Sequence, residues 1–134
     1  MSSLNSPTWL RGDIVLAIHD AQLAEHGGLP GIRSPELLDS ALARPMQTAT
    51  YVSDADAVTI GSTYAISLAH NHPFIDGNKR VAWVAMRTFL ALNGIRLTYD
   101  RADAVNEMLA LAAGERTDEQ FTAWVRLHST NATP

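Results

Sequence analysis

The chain contains no cysteine, which excludes a disulfide framework and any metal site built on thiolates. It has a single lysine, Lys79, among ten strong cations. No apolar run approaches the roughly 18 residues that crossing a bilayer as a helix requires. No basic stripe of the kind carried by general nucleic-acid binders is visible, and the formal net charge is -4. The opening residues, MSSLNSPTWLRGD, lack the charged start and apolar run of a secretory signal. The expectation from these absences is a soluble, cytoplasmic protein with no membrane partner and no direct nucleic-acid partner. With 134 residues, the chain is the size of one ordinary domain and long enough to bury a core without staples.

What is present is helical pattern nearly throughout. Asp13 is a suitable N-cap for a first helix, in which Ile14, Ala17, Ile18 and Ala21 repeat at helical spacing and Gly27-Gly28 suit a left-handed stop. Ser34-Pro35-Glu36 reads as cap, first-turn proline and first-turn acid. Leu37, Leu38, Ala41 and Leu42 follow, and Pro45 is expected to end that helix. Residues 46–53, MQTATYVS, alternate roughly and are rich in Thr, Tyr and Val, so a strand, hairpin or extended flap is predicted there. Asp54 or Asp56 would cap a third helix running to about Asn71, where Pro73 prevents continuation. Val81, Val84, Ala85, Thr88, Phe89 and Leu92 mark one apolar stripe of a fourth helix, closed by Asn93-Gly94. Asp100 would open a fifth, with Val105, Leu109 and Ala112 inward. Thr117 and Gln120 form a capping box for a last helix carrying Phe121, Trp124, Val125 and His128. The tail STNATP reads as frayed. The expectation is one all-α domain, a compact helical bundle with a short extended element, spanning 1–134 with its core at about 10–128.

Between the third and fourth helices lies HPFIDGNKR, residues 72–80. Taken singly, its members have ordinary explanations: a helix-end histidine, an Asp-Gly turn, an asparagine cap, a core phenylalanine. Together they do not explain two cations, Lys79 and Arg80, in the first turn of a helix whose dipole opposes positive charge there. An anion bound at the exposed N–H groups of that turn would. Gly77 lets backbone approach a ligand, with Asn78 beside it. Asp76 suits a hard cation such as Mg2+, and His72 can take a proton from an attacking hydroxyl. The set points to phosphoryl or nucleotidyl transfer.

HPFIDGNKR strongly resembles the signature of the Fic/Doc superfamily, His-x-Phe-x-acid-Gly/Ala-Asn-Lys/Gly-Arg. IHDAQLAEHGGLPGIRSPELLDSALARPMQT and FLALNGIRLTYD are similar to the flanking stretches of Doc, the death-on-curing toxins of toxin–antitoxin pairs. The resemblance implies a Fic/Doc-like fold with His72 as general base, Phe74 as loop anchor and Asp76 holding Mg2+ with the nucleotide. It implies Gly77, Asn78 and Lys79 as anion cradle and Arg80 as phosphate ligand. The extended stretch near 46–53 would be the flap that aligns a target segment by strand pairing. Lys79 stands where AMP-transferring members carry glycine, and Trp83 where they carry a second arginine. Both differences imply the Doc branch: a kinase that passes phosphate from ATP to a hydroxyl of elongation factor Tu and halts translation. Where many Doc members read NKRTAL, this chain has Val81 and Trp83. No inhibitory Ser/Thr-x-x-x-Glu-Gly/Asn motif occurs in the chain. The inhibitor is therefore expected in trans, an antitoxin whose disordered tail folds on the site.

Three other readings remain at this point. A Fic-type AMP transferase, or a catalytically idle Fic-fold binding protein, would share the fold. A metal-dependent phosphohydrolase would use His19-Asp20, but the dipeptide is common and further ligands are not apparent; both side chains are expected to face partly to solvent.

Overall fold

The computed structural model describes residues 7–131. Along the chain run α1 (Gly12–His26), α2 (Pro35–Tyr51), α3 (Ala57–Asn71), α4 (Asn78–Leu92), β1 (Ile95–Leu97), α5 (Arg101–Ala112), α6 (Asp118–Leu127) and β2 (Ser129–Asn131). The all-α Fic/Doc-like bundle expected from sequence is what forms. The helix α3 is its axis, packed against α2, α4, α5 and α6, while α1 lies on α4. Every residue of α3 from Ala57 to Ala69 is buried apart from the half-buried Thr59, so a helix without an apolar stripe sits where no stripe is needed. Gly61 lets α4 approach closely: a methyl group there would lie 2.7 Å from Leu90 Cδ2. One contiguous apolar cluster draws residues from all six helices.

Three starts follow the capping chemistry. Ser34 Oγ accepts from Leu37 N–H at 3.1 Å and Asp56 Oδ1 from Thr59 N–H at 2.9 Å. Thr117 and Gln120 complete a reciprocal box. Asp13 does not cap α1. The cap position is Arg11, without a side-chain bond, and Asp13 sits in the first turn, where a carboxylate suits the dipole, paired with Arg11 at 2.8 Å.

The largest departure from expectation is at Pro45. The helix does not end there; α2 continues to Tyr51 with the proline buried inside it, so no flap forms at 46–53. Proline cannot donate to the carbonyl of Ala41 four residues earlier. That carbonyl instead accepts the hydroxyl of Ser67, on α3, at 2.8 Å. Ser67 Oγ also lies 2.8 Å from Thr63 O, but Thr63 O has a helical donor in the Ser67 amide, so Ala41 O is the acceptor in need. Tertiary packing thus supplies the bond that local sequence removes. The small extended element lies elsewhere, where β1 pairs antiparallel with β2, Arg96 opposite Thr130. Residues 129–131 of the supposedly frayed tail are therefore a strand; 132–134 lie outside the described residues.

Helix faces were misjudged in part. On α1, Val15 and His19 are buried while Ile14, Ala17 and Ala21 are exposed. On α5, Ala104, Glu107, Met108 and Leu111 face inward, and Val105 and Leu109 are exposed. On α4, Val81, Ala85 and Phe89 are buried as expected, joined by Ala82, Met86 and Leu90, whereas Leu92 faces out. The α4 stripe is wide because α4 packs on α3 and α1 at once.

Two expectations test this account. Ser67→Ala leaves Ala41 O without a donor and should lower stability by about 1–3 kcal/mol. Adding Pro45→Ala, which restores an N–H, should recover part of that loss in urea unfolding; equal costs in both backgrounds would show the bond is not the one argued. The second concerns Asp56, which accepts from Arg126 at 2.6 Å and 3.2 Å. These bonds, opposed by partial burial and aided by the cap, hold its carboxyl down at about 2. A depressed folded pKa adds stability above the unfolded value, lost as pH falls through the folded one. The Tm advantage of wild type over Asp56→Asn should therefore be constant near neutrality and disappear between about pH 4 and pH 2. With a partly exposed pair it should amount to no more than about 1 kcal/mol.

Candidate active site

The C-terminal end of α3 is where the buried axis leaves the core. His72 caps it in the left-handed conformation, φ 48° and ψ 56°, unusual for a residue with a side chain. Arg33 makes that conformation tenable. Its Nε donates to His72 O at 2.7 Å and its Nη2 to Asn71 O at 2.8 Å, closing carbonyls that a helix end leaves open. Asn71 Nδ2 donates to Leu37 O at 2.9 Å. The backbone amides of Arg33 and Ser34 both donate to Pro73 O, and Ile75 N–H donates to Gly31 O at 3.1 Å. Ile32 and Phe74 thus form an antiparallel bridge. The segment that lies strand-like beside the signature loop is therefore the α1–α2 connection, not 46–53.

Inside the loop, Phe74 is 1% exposed and anchors it in the core, as expected. Asn78 is bonded in both directions to that anchor: Oδ1 accepts from Phe74 N–H and Nδ2 donates to Phe74 O, each at 2.9 Å. Its side chain shapes the loop, while its backbone N–H has no helical acceptor. His19, from α1, stacks on the Phe74 ring with centroids 4.0 Å apart and planes 14° apart. Its Nε2 lies 2.9 Å from Asp76 O. His19 is therefore a core residue, while its neighbour Asp20 is exposed; the two diverge and form no joint metal site. Asp76 is exposed, and its carboxylate accepts Gly77 N–H on Oδ1 at 2.9 Å and Leu29 N–H on Oδ2 at 3.1 Å.

Gly77 turns the chain into α4 with φ 79°, a conformation in which a side chain is strained. The first helical bond of α4 runs from Val81 N–H to Gly77 O at 3.0 Å. The amides of Asn78, Lys79 and Arg80 precede it, with no helical carbonyl to receive them. The first turn contains no acid. Lys79 and Arg80 are exposed, and neither joins an ion pair among the described residues. This helix start therefore carries positive charge that nothing in its first turn offsets. Each oxygen of Asp76 accepts one N–H, so lone pairs remain for a cation. Among the described residues no three carboxylates or histidines converge on a metal position. An ion at Asp76 would thus be shared with substrate oxygens and water, the arrangement Mg2+ favours with phosphates.

The two departures from the usual signature have visible settings. Val81 is wholly buried, so a hydroxyl there would face the core rather than a ligand. Trp83 packs edge-on against Tyr99 at 5.0 Å and tilted against Trp124 at 6.0 Å, a hydrophobic role for the indole. A groove of about 760 Å³ between α2, α3 and α6, lined by Thr48, Thr63, Ile66 and Leu127 among others, contains none of the loop residues. The candidate site is an open helix start rather than that groove. Sequence reading missed Arg33 and Leu29, and it expected His19 partly at the solvent surface, whereas the ring is buried. Their parts depend on contacts 39 to 57 residues apart in the chain, for which no local signal exists.

The loop is thus a helix start with open amides and two exposed cations beside a left-handed histidine, set between two core helices. A model of the Fic/DOC family matches residues 9–90, and the chain belongs to that family. Among its relatives, the protein named Protein kinase doc, from Escherichia phage P1, is 31% identical over 101 residues, 75% of this chain and 79% of the relative. Toxin Doc of Mycolicibacterium smegmatis is 45% identical over 89 residues, 61% of this chain and 68% of the relative.

If Asn78 holds the loop through Phe74, Asn78→Ala should accelerate hydrogen exchange at the Phe74 amide by about tenfold or more, because that N–H loses its acceptor. Unchanged protection would refute the assignment.

Proposed function

We propose that this protein is a Doc-type toxin that transfers the γ-phosphate of ATP to a hydroxyl of a translation factor, with elongation factor Tu as the expected target. The observation that carries the reading is the first turn of α4: three free amides and two unpaired cations, with no acid to balance them. Its position directly after a loop holding His72 and Asp76 gives a base and a metal ligand on one short stretch. The names of the relatives, a kinase and a toxin, favour phosphate over AMP as the transferred group, as does Lys79 where AMP-transferring members carry glycine.

In this reading the amides of Asn78, Lys79 and Arg80 bind the phosphate chain, and the two side chains add charge as negative charge shifts toward the leaving oxygen. Mg2+, when bound, neutralises phosphate charge beside Asp76. His72, neutral, accepts the proton of the target hydroxyl as its oxygen bonds to the γ-phosphorus. The bond from that phosphorus to the bridging oxygen breaks, and ADP leaves. Arg33 holds the His72 backbone, which limits where the ring can reach. The target segment would lie along the α1–α2 connection, where Leu29 and Ile32, with Ile75 opposite, expose apolar side chains. An antitoxin tail folding over the same surface would block it.

With γ-labelled ATP, Mg2+ and elongation factor Tu, the factor should become labelled; label transferred only from α-labelled ATP would replace this reading with AMP transfer. His72→Ala should lower the rate by about 10²- to 10⁴-fold with unchanged helical circular dichroism and should relieve growth arrest. Full toxicity in that variant would remove His72 as the base.

A further inference from the structure

We propose that His19 is a positioning residue for the reaction: its buried imidazole fixes Asp76, and through Asp76 the magnesium-dependent part of nucleotide binding. The inference rests on the kinase reading of the same loop and adds a residue lying outside HPFIDGNKR. His19 is 4% exposed. An imidazole at such a site is costly unless its polar atoms are bonded, and a leucine or phenylalanine would fill the space without that requirement. The ring lies flat on Phe74, and Nε2 meets the carbonyl of Asp76 at 2.9 Å. A carbonyl only accepts, so Nε2 carries the hydrogen.

Asp76 is consequently held at three atoms. Its carbonyl is held by His19, Oδ2 by the Leu29 amide and Oδ1 by the Gly77 amide. The first two grips come from one stretch of chain, residues 19–29, which runs from the middle of α1 into the α1–α2 connection. Gly28 makes the approach possible: with φ +123°, a methyl group there would stand 2.8 Å from Asp76 Oδ2. Groups that orient a metal ligand without touching the metal typically change metal affinity when removed. His19 occupies that relation to Asp76.

Two substitutions separate positioning from packing. His19→Phe keeps a flat ring on Phe74 and removes the donor. His19→Gln keeps an amide N–H at the reach of Nε2 and removes the ring. Three quantities are measured on the full chain: Tm, the Mg2+ concentration giving half-maximal phosphate transfer, and, independently of transfer, the Mg2+ dependence of ATP binding by calorimetry. The expected result is that His19→Phe needs about tenfold more Mg2+ in both assays while its Tm stays near wild type. His19→Gln should return most of the Mg2+ dependence despite a lower Tm. A Phe variant with wild-type Mg2+ dependence, or a Gln variant as impaired as the Phe variant, would overturn the proposal while leaving the kinase reading intact. If wild type binds Mg2+ and ATP but transfers no phosphate, the kinase reading fails and the binding data still decide on His19. If wild type shows no magnesium-dependent ATP binding, both fall.

Discussion

The complete enclosure of α3 is the constraint from which the rest of this molecule follows. A helix buried on all sides cannot leave a polar group to water, so each must be met by protein. Thr63 turns its hydroxyl back to Thr59 O at 3.0 Å. Tyr64 reaches the backbone of Leu10 at 3.1 Å, which ties the segment before α1 to the axis, and burial drives its phenol pKa upward. Ser67 mends the backbone gap made by Pro45. The one orphan on this helix is Ser62 Oγ, for which no partner is found. With its sides closed, α3 can meet solvent only at its ends. One end is capped by Asp56 and locked to α6 by Arg126. The other delivers His72 to the surface.

Much of this was legible locally. Ser34-Pro35, Thr117–Gln120 and the glycine-rich stretches punctuate the chain by chemistry that acts within four residues, and the helices begin and end close to where those signals stand. Phe74 reads correctly as an anchor for the same reason: a large aromatic flanked by turn residues has little choice but the core. The errors share a cause. Pro45 should break a helix when only its own turn is considered, and does not because the Ser67 hydroxyl, 26 residues from Ala41, takes over the freed carbonyl. Thr, Tyr and Val in 46–53 carry a strand preference that is weak beside the packing of α2 on α3. The faces of α1 and α5 were misplaced because an alanine-rich helix offers several equally apolar stripes, and the choice among them is made by neighbours.

The candidate site shows the same division. The groups proposed to meet a ligand are contiguous in sequence and were named there from residue chemistry. The groups that hold them in place are scattered: Arg33 on the carbonyls of residues 71 and 72, His19 and Leu29 on Asp76. All three come from α1 or the connection that follows it. A short motif can therefore announce chemistry while the geometry of that chemistry is set by a separate segment, and substitutions in that segment would disturb the site without altering the motif.

The charge pattern at the loop fits the proposed ligand role better than a purely structural one. Four of the arginines are spent on carboxylates: Arg11, Arg44, Arg116 and Arg126. Arg33 satisfies carbonyls and Arg87 lies over the Tyr99 ring at 5.6 Å. Arg101 also starts a helix, yet Asp100 and Asp103 flank it, so a first-turn cation alone signifies little. Lys79 and Arg80 differ because nothing in α4 offsets them, and the residue ahead, Asp76, has its carboxylate turned toward backbone amides. Two adjacent cations at the positive end of a helix repel one another and the dipole. A fold selected for stability alone would place an acid there, as α2 and α6 do with Glu36, Asp118 and Glu119. A bound polyanion would remove that penalty, so under the proposed kinase reading the arrangement that opposes the dipole in the free protein would favour phosphate.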